Sequence, residues 1–147
     1  MIDTFRGEYA FLSNFYSAPV EFNGRLWASV EHAFQAAKVD DETAEQIYLS
    51  SNPTVAKRLG RTGIMRPDWD AIKDDVMLAC LRSKFQRNPT LHSRLMSTGN
   101  EELIEGNYWH DNYWGVCSCA KCKEKGLTGL NKLGTMLMQV RKENIGV

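Results

Sequence analysis

The spacing of apolar residues changes at Ser29, and this change restricts the fold more than any other feature of the chain. Ahead of it, Asn23-Gly24 stands between Val20/Phe22 and Leu26/Trp27. Asn-Gly tolerates positive φ at both central positions of a type I′ turn, so the stretch predicts a β-hairpin. Behind it, Val30, Ala33, Phe34 and Ala37 recur at i, i+3, i+4 and i+7, with Ser29 as N-cap. That is an amphipathic helix near 30–39. The helical period then persists. A weak helix is expected over 42–50, and Asn52 caps a helix that Pro53 opens and Gly60 stops. Pro67 opens the longest helix, near 67–87, with Trp69, Ile72, Val76 and Cys80 along one side. Asn88-Pro89 starts another that ends at Gly99, and Leu130, Leu133, Leu137 and Val140 mark a closing helix. The first thirty residues read as strands, "EELIEG" as one short strand, and 106–129 as irregular. The expectation is an α+β chain, mostly helical, forming a single domain over 1–147 with a small antiparallel sheet. A loop of about twenty residues inside a compact domain is unusual unless it carries function.

Charge and cysteine content narrow the function classes. Lys+Arg and Asp+Glu are 18 each, so the formal net charge is zero. That argues against a nucleic-acid binder working through a broad basic face, and leaves room for a small phosphate pocket. No apolar run approaches the ~18 residues that a membrane span requires, so no membrane partner is expected. The N-terminus lacks a basic region ahead of an apolar core and does not read as a signal peptide. Four cysteines without an export signal predict a cytoplasmic protein with free thiols or metal thiolates rather than disulfides.

Three groups of residues could carry chemistry. Glu31, Gln35 and Lys38 share the face of the 30–39 helix opposite its apolar stripe. Glu31 lies in the first turn, where the helix dipole favours its anion. Such a carboxylate suits charge stabilisation, nucleophilic attack or proton abstraction, although acidic first turns are common in helices with no catalytic task. Trp109 and Trp114 lie in a polar stretch beside Asn107, Asp111 and Asn112, which suits a base or a sugar; an aromatic plug is the plain alternative. Trp27 and Cys80 read as core, and Trp69 as core or pocket wall. Cys117, Cys119 and Cys122 form C-x-C-x-x-C, with His110 the nearest fourth ligand. Structural zinc usually takes two separated pairs, so free or redox-sensitive thiols are the first reading and zinc the second. His32 and His92 read as surface or capping residues. Lys57, Arg58, Arg61 and Arg66 form either a solvated turn or a phosphate clamp.

Six blocks in order, "GEYAFLSNFY", "WASVEHAFQAAK", "AKRLGR", "RPDWDAIKDDVM", "LRSKFQRNP" and "DNYWG…GLNKLGTMLMQVR", resemble those of the NADAR family, also called the YbiA-like or DUF1768 family, over about residues 5 to 142. The resemblance implies an N-glycosidase. Its substrates would be early phosphorylated riboflavin-biosynthesis intermediates, releasing ribose 5-phosphate, or ADP-ribosylated guanine in nucleic acid. By matched position it implies active-site roles for Glu31, Trp69, Asp111 and Trp114, with Glu31 and Asp111 catalytic. It implies substrate-binding roles for Asn14, Gln35, Lys38, Arg61 and Asn131, and less directly for Trp109 and its neighbour His110. No cofactor is implied, zinc on the cysteines being the one candidate. The chain departs from the family at "VCSCAKCKEKGLT", where many members have a short glycine-rich stretch. Two further classes stay open: a non-catalytic ADP-ribose or nucleotide binder, and a zinc or redox protein built on the cysteines.

Overall fold

The computed structural model describes residues 1–144. The chain divides into two compact units, Asn14–His92 and Met1–Ser13 with Ser93 onward. It is mostly helical, with a two-stranded antiparallel sheet and a second, parallel pair of strands.

The Asn14–His92 unit follows its sequence signals closely. Strands β1 (Val20–Phe22) and β2 (Arg25–Trp27) pair antiparallel, with Val20 opposite Trp27 and Phe22 opposite Arg25. Asn23 and Gly24 take φ of 53° and 75°, as a two-residue primed turn requires. Helix α1 (Val30–Lys38) starts where Ser29 Oγ accepts the His32 N–H at 3.1 Å. Helix α2 (Asp41–Leu49) is capped by Asp40, and α3 (Pro53–Thr62) by Asn52, whose Oδ1 accepts the Thr54 N–H at 2.8 Å. Helix α4 (Trp69–Arg87) is the longest. Helix α1 packs against α2, α3 and α4, and β1 lies on α4. Val20, Val30, Ala33, Ile47, Ala56 and Leu81 are fully buried here. Each larger member contributes roughly 1.5–3 kcal/mol relative to an exposed position. Gly60 does not stop α3, which runs on to Thr62. A Cβ at 60 would stand 1.9 Å from Gln35 Oε1, so the glycine marks a close helix–helix approach.

The other unit departs further from expectation. Residues Gly7–Leu12 form a 3-10 helix rather than a strand, entered through Gly7 at φ +57°. Extended pairing there is limited to a parallel bridge between Ile2 and Leu103, fixed by Ile2 N–H to Glu102 O and Ile104 N–H to Ile2 O, both 2.8 Å. Helix α5 (Pro89–Ser97) leads the chain into this unit. The "EELIEG" stretch supplies that bridge and the start of β3 (Gly106–Asn107), which pairs parallel with β4 (Val116–Cys117). The segment expected to be irregular thus holds two short strands and a helix, α6 (Ala120–Glu124). Helix α7 (Lys132–Glu143) begins at Lys132, not Leu130, because Asn131 adopts the left-handed conformation at φ 52°. Among the described residues, no helix is long and apolar enough to cross a membrane.

Candidate active site

On the polar face of α1, Glu31 and Gln35 are only 7% and 8% exposed. Gln35 Nε2 donates to Glu31 Oε1 at 2.9 Å, one helical turn away. Gln35 Oε1 and Asn14 Oδ1 are buried and, among the described residues, unpartnered. Buried acceptors are nearly always satisfied; Gln35 Oε1 is turned toward Gly60 of α3, and Asn14 Oδ1 is the open acceptor of the two. Asn14 belongs to the same neighbourhood, since its backbone oxygen accepts the Glu31 N–H at 3.1 Å and its Nδ2 faces Met77 Sδ at 3.5 Å. Trp69 is buried and packs on Phe34 of α1, ring centroids 4.9 Å apart.

Positive charge gathers at the other end of α1. Burial pushes the Lys38 amine below its ordinary value; Arg61 pushes the same way, Glu31 opposes, and Lys73 adds to the lowering. The end of α3 is tied to Lys38 because Val39 bridges Met65 and the Arg66 N–H donates to Lys38 O at 2.9 Å. Arg66 itself is held in an exposed two-point pair with Asp68, at 2.8 and 3.1 Å. Lys57 lies over the Phe15 ring at 5.8 Å, and Arg58 is exposed. Of the four cations in the expected clamp, Arg61 is the one that joins Lys38. Lys73 completes the group and had no sequence assignment. Its signal was available: it follows Trp69 by four residues on α4.

In the other unit, Asn107 organises the loop that carries Asp111. Its buried Oδ1 accepts the N–H groups of Trp109 (3.2 Å) and Asp111 (3.1 Å), and its Nδ2 donates to Asp111 O at 2.8 Å. Asp111 Oδ1 in turn accepts the N–H groups of Tyr113 and Trp114 at 3.1 and 2.9 Å. One carboxylate oxygen is therefore fixed by two amides, a firm mount for the group. Trp114 is half-buried and meets Tyr113 edge-on at 4.8 Å; Trp109 is 45% exposed and meets Tyr108 similarly at 5.3 Å. Asn131 is committed to the backbone: Oδ1 accepts the Glu105 N–H and Nδ2 donates to Leu103 O, both 3.0 Å.

A sequence model of the NADAR domain matches residues 3–144. The chain belongs to the NADAR family. Among its relatives, N-glycosidase YbiA of Escherichia coli (strain K12) is 35% identical over 139 residues, covering 92% of this chain and 82% of that protein. N-glycosidase Npun_R5314 of Nostoc punctiforme is 36% identical over 141 residues, 92% and 85% of the two chains. Riboflavin biosynthesis protein VVA0006 of Vibrio vulnificus is 36% identical over 92% of this chain but only 35% of its own length. The NMR structure of E. coli YbiA superposes with a TM-score of 0.81 at 34% identity, covering 97% of this chain and 84% of that one. The NADAR fold here accordingly includes both the buried Glu31–Gln35 pair and the Asn107–Gly115 loop.

The cysteines of this NADAR chain are gathered as well. His110 Nδ1 lies 3.4 Å from Cys122 Sγ and 3.3 Å from Cys119 Sγ, and the ligand atoms of His110, Cys117, Cys119 and Cys122 all lie within 4.8 Å of one another. Burial raises the Cys117 thiol, but bonds from Cys119 backbone and side chain and from the His110 N–H prevail and hold it at about 7. Cys80 is apart from them, fully buried in α4 as expected. His32 is not a surface residue: it is 1% exposed, with Nδ1 2.7 Å from Ser29 Oγ and Nε2 2.9 Å from Ser50 O, so it extends the α1 cap.

Proposed function

We propose that this chain is an N-glycosidase that hydrolyses the C1′–N bond joining a phosphorylated ribose to a base. The observation that carries the reading is the group on and around α1: a buried carboxylate, Glu31, held by Gln35, with Lys38, Arg61 and Lys73 gathered beyond it. The names of the YbiA and Npun_R5314 relatives support the same reaction class. In such a cleavage the C1′–N electron pair leaves with the base, and the sugar passes through an oxocarbenium-like cation. An oriented anion stabilises that cation far better than water does, because it need not reorganise. Glu31 takes this role, and Gln35 fixes its orientation. Water then bonds to C1′, and its proton is passed on to the departing base. The cations meet the phosphate, and Trp69 holds the flat face of the base. The family resemblance adds Asp111 and Trp114 as further residues of the chemistry. Lys38 offers a second route, since burial lowers its proton affinity: its amine adds to C1′ of the opened sugar, the base leaves with the C1′–N pair and takes up a proton, and water hydrolyses the resulting imine to free the sugar and the lysine.

The favoured substrates are free early riboflavin intermediates, as the name of the Vibrio vulnificus riboflavin biosynthesis relative suggests. A formal net charge of zero fits a small ligand better than a long polyanion. The setting proposed is the cytoplasm, and the protein acts as one NADAR domain. The test is incubation with a ribosylaminopyrimidine phosphate and, in parallel, with ADP-ribosylated guanine in an oligonucleotide. Release of ribose 5-phosphate from the first supports the reading. Release of ADP-ribose from the second alone moves the substrate class. Calorimetric binding without product from either makes the chain a binding module.

A further inference from the structure

We propose that His110, Cys117, Cys119 and Cys122 form a closed structural zinc site that pins the Tyr108–Gly115 loop to α6. The inference uses residues that the glycosidase reading does not need. Cys-x-Cys-x-x-Cys in one run lacks the paired spacing usual for structural zinc, and the structure supplies what the spacing could not. The chain leaves Asn107, turns back through His110 at φ 73°, and returns along β4 to bring Cys117 beside it. Cys119 then caps α6, its Sγ accepting the Cys122 N–H at 3.4 Å, which sets Cys122 one turn further on. The four ligand atoms converge within 4.8 Å of one another, across segments up to twelve residues apart.

The dimensions are close to those of a tetrahedral ion, the widest separation of 4.8 Å having to close by about 1 Å. Zn–S bonds of ~2.3 Å and Zn–N bonds of ~2.0 Å place sulfur atoms ~3.8 Å apart and nitrogen ~3.5 Å from sulfur. His110 Nδ1 stands 3.3 and 3.4 Å from two of the sulfurs. Around the sulfurs is a second layer of donors. Cys117 Sγ accepts the N–H groups of His110 (3.3 Å) and Cys119 (3.4 Å), and Cys122 Sγ accepts from Asn112 Nδ2 at 3.4 Å. Donors aimed at sulfur favour thiolates and fix their direction, as the outer layer of a thiolate metal site does. A redox pair would need two sulfurs and an attacking partner, not three sulfurs and an imidazole nitrogen around one point. Three soft thiolates and an imidazole select zinc over magnesium or calcium. Four protein ligands leave no position for water or substrate, so the ion is structural. Asn112 links it to the loop, since its Oδ1 also accepts the Cys117 N–H at 2.9 Å, and Asn112 directly follows Asp111.

The test begins with protein purified under reducing conditions without chelator. Elemental analysis is expected to give one zinc per chain. Cys119→Ser and Cys122→Ser should each reduce that at least tenfold, whereas Cys80→Ala keeps it. If the serine variants do not fold, the wild-type apoprotein is titrated with Co(II) instead. One equivalent should produce the thiolate-to-cobalt charge-transfer band and the strong visible bands of a tetrahedral site with three sulfur ligands and one nitrogen, both bleached by zinc. Chelator should lower the thermal midpoint and speed hydrogen exchange over 107–122. A folded, metal-free preparation whose thiols all react freely and which shows no tetrahedral cobalt spectrum overturns the proposal. A Cys119–Cys122 disulfide in reduced-handled protein does so too.

Discussion

Glu31 is the residue on which the glycosidase reading turns. Glu31→Gln keeps the shape and a partner for Gln35 but removes the negative charge. The kcat should fall by at least ~100-fold, the low end for losing a positioned acid–base or charge-stabilising group. The thermal midpoint should stay close to wild type, because a buried carboxylate is replaced by a neutral isostere. Wild-type turnover of a confirmed substrate would remove Glu31 from the mechanism. Gly60 gives a separate test of the same machinery. A methyl there would stand 1.9 Å from Gln35 Oε1 and 3.1 Å from its Cβ, so the carboxamide must swing away and release Glu31. Overpacking of this kind costs about 1–3 kcal/mol. Gly60→Ala should therefore lower kcat as well as stability, and Gly60→Ala with Gln35→Ala should regain stability without regaining activity. A single variant with full activity would show that Gln35 does not orient the carboxylate.

Helix α1 depends on Ser29, which is 1% exposed and serves two partners. Its Oγ accepts the His32 N–H and lies 2.7 Å from His32 Nδ1, while the ring's other nitrogen reaches Ser50 O. Ser29→Ala loses a cap worth about 1 kcal/mol and a buried hydrogen bond of about the same size. For a chain of this length the midpoint should drop by roughly 4–8 °C in thermal unfolding. A change under a degree would mean that the cap is replaced by other groups. Caps of this sort are why the helices could be read from sequence: Ser29, Asn52-Pro53 and Asn23-Gly24 act within a few residues of themselves. What could not be read was set at a distance. Gly60 looked like a stop because its reason, the Gln35 side chain, lies on another helix. The period of α1 identified its apolar stripe, but no period reports that α3 closes on Gln35 through Gly60 or that Glu31 is buried. The β3–β4 pairing is two residues long and depends on Asn107 side-chain bonds, so it left no alternation to detect. His110 and the cysteines were visible as types, and their convergence was not, because it requires the turn at His110. For Asp111 and Trp114 the family blocks pointed to the positions, while the Asx turn that mounts the carboxylate emerged only from the folded chain.

The stability of the whole molecule should vary with pH through two groups buried on α4. Lys84 is fully buried, its Nζ 5.7 Å from the Tyr16 ring centroid, and burial pulls its amine from 10.5 to about 7. Cys80, one turn earlier and also fully buried, has its thiol pushed from 9.0 to about 12. Their effects have opposite signs. Between about pH 7 and 10.5 the unfolded chain holds the Lys84 proton that the native chain has lost, so stability rises with pH. Between about pH 9 and 12 the native chain keeps the Cys80 proton that the unfolded chain has lost, so stability falls. Each group alone gives a slope of at most about 1.4 kcal/mol per pH unit. Wild-type protein should thus gain stability from pH 7 to 9, level off while the two slopes oppose, and lose stability above about 10.5. Lys84→Met should lessen the rise, leaving the share that Cys117 contributes with its thiol at about 7 against 9.0, and Cys80→Ala should remove the alkaline loss while costing some stability at every pH through the smaller side chain. Urea unfolding across pH 7–11 measures all three curves. A wild-type curve that falls between pH 7 and 9, or a Lys84→Met curve that rises there as steeply as wild type, would show that the native interior holds Lys84 as a cation.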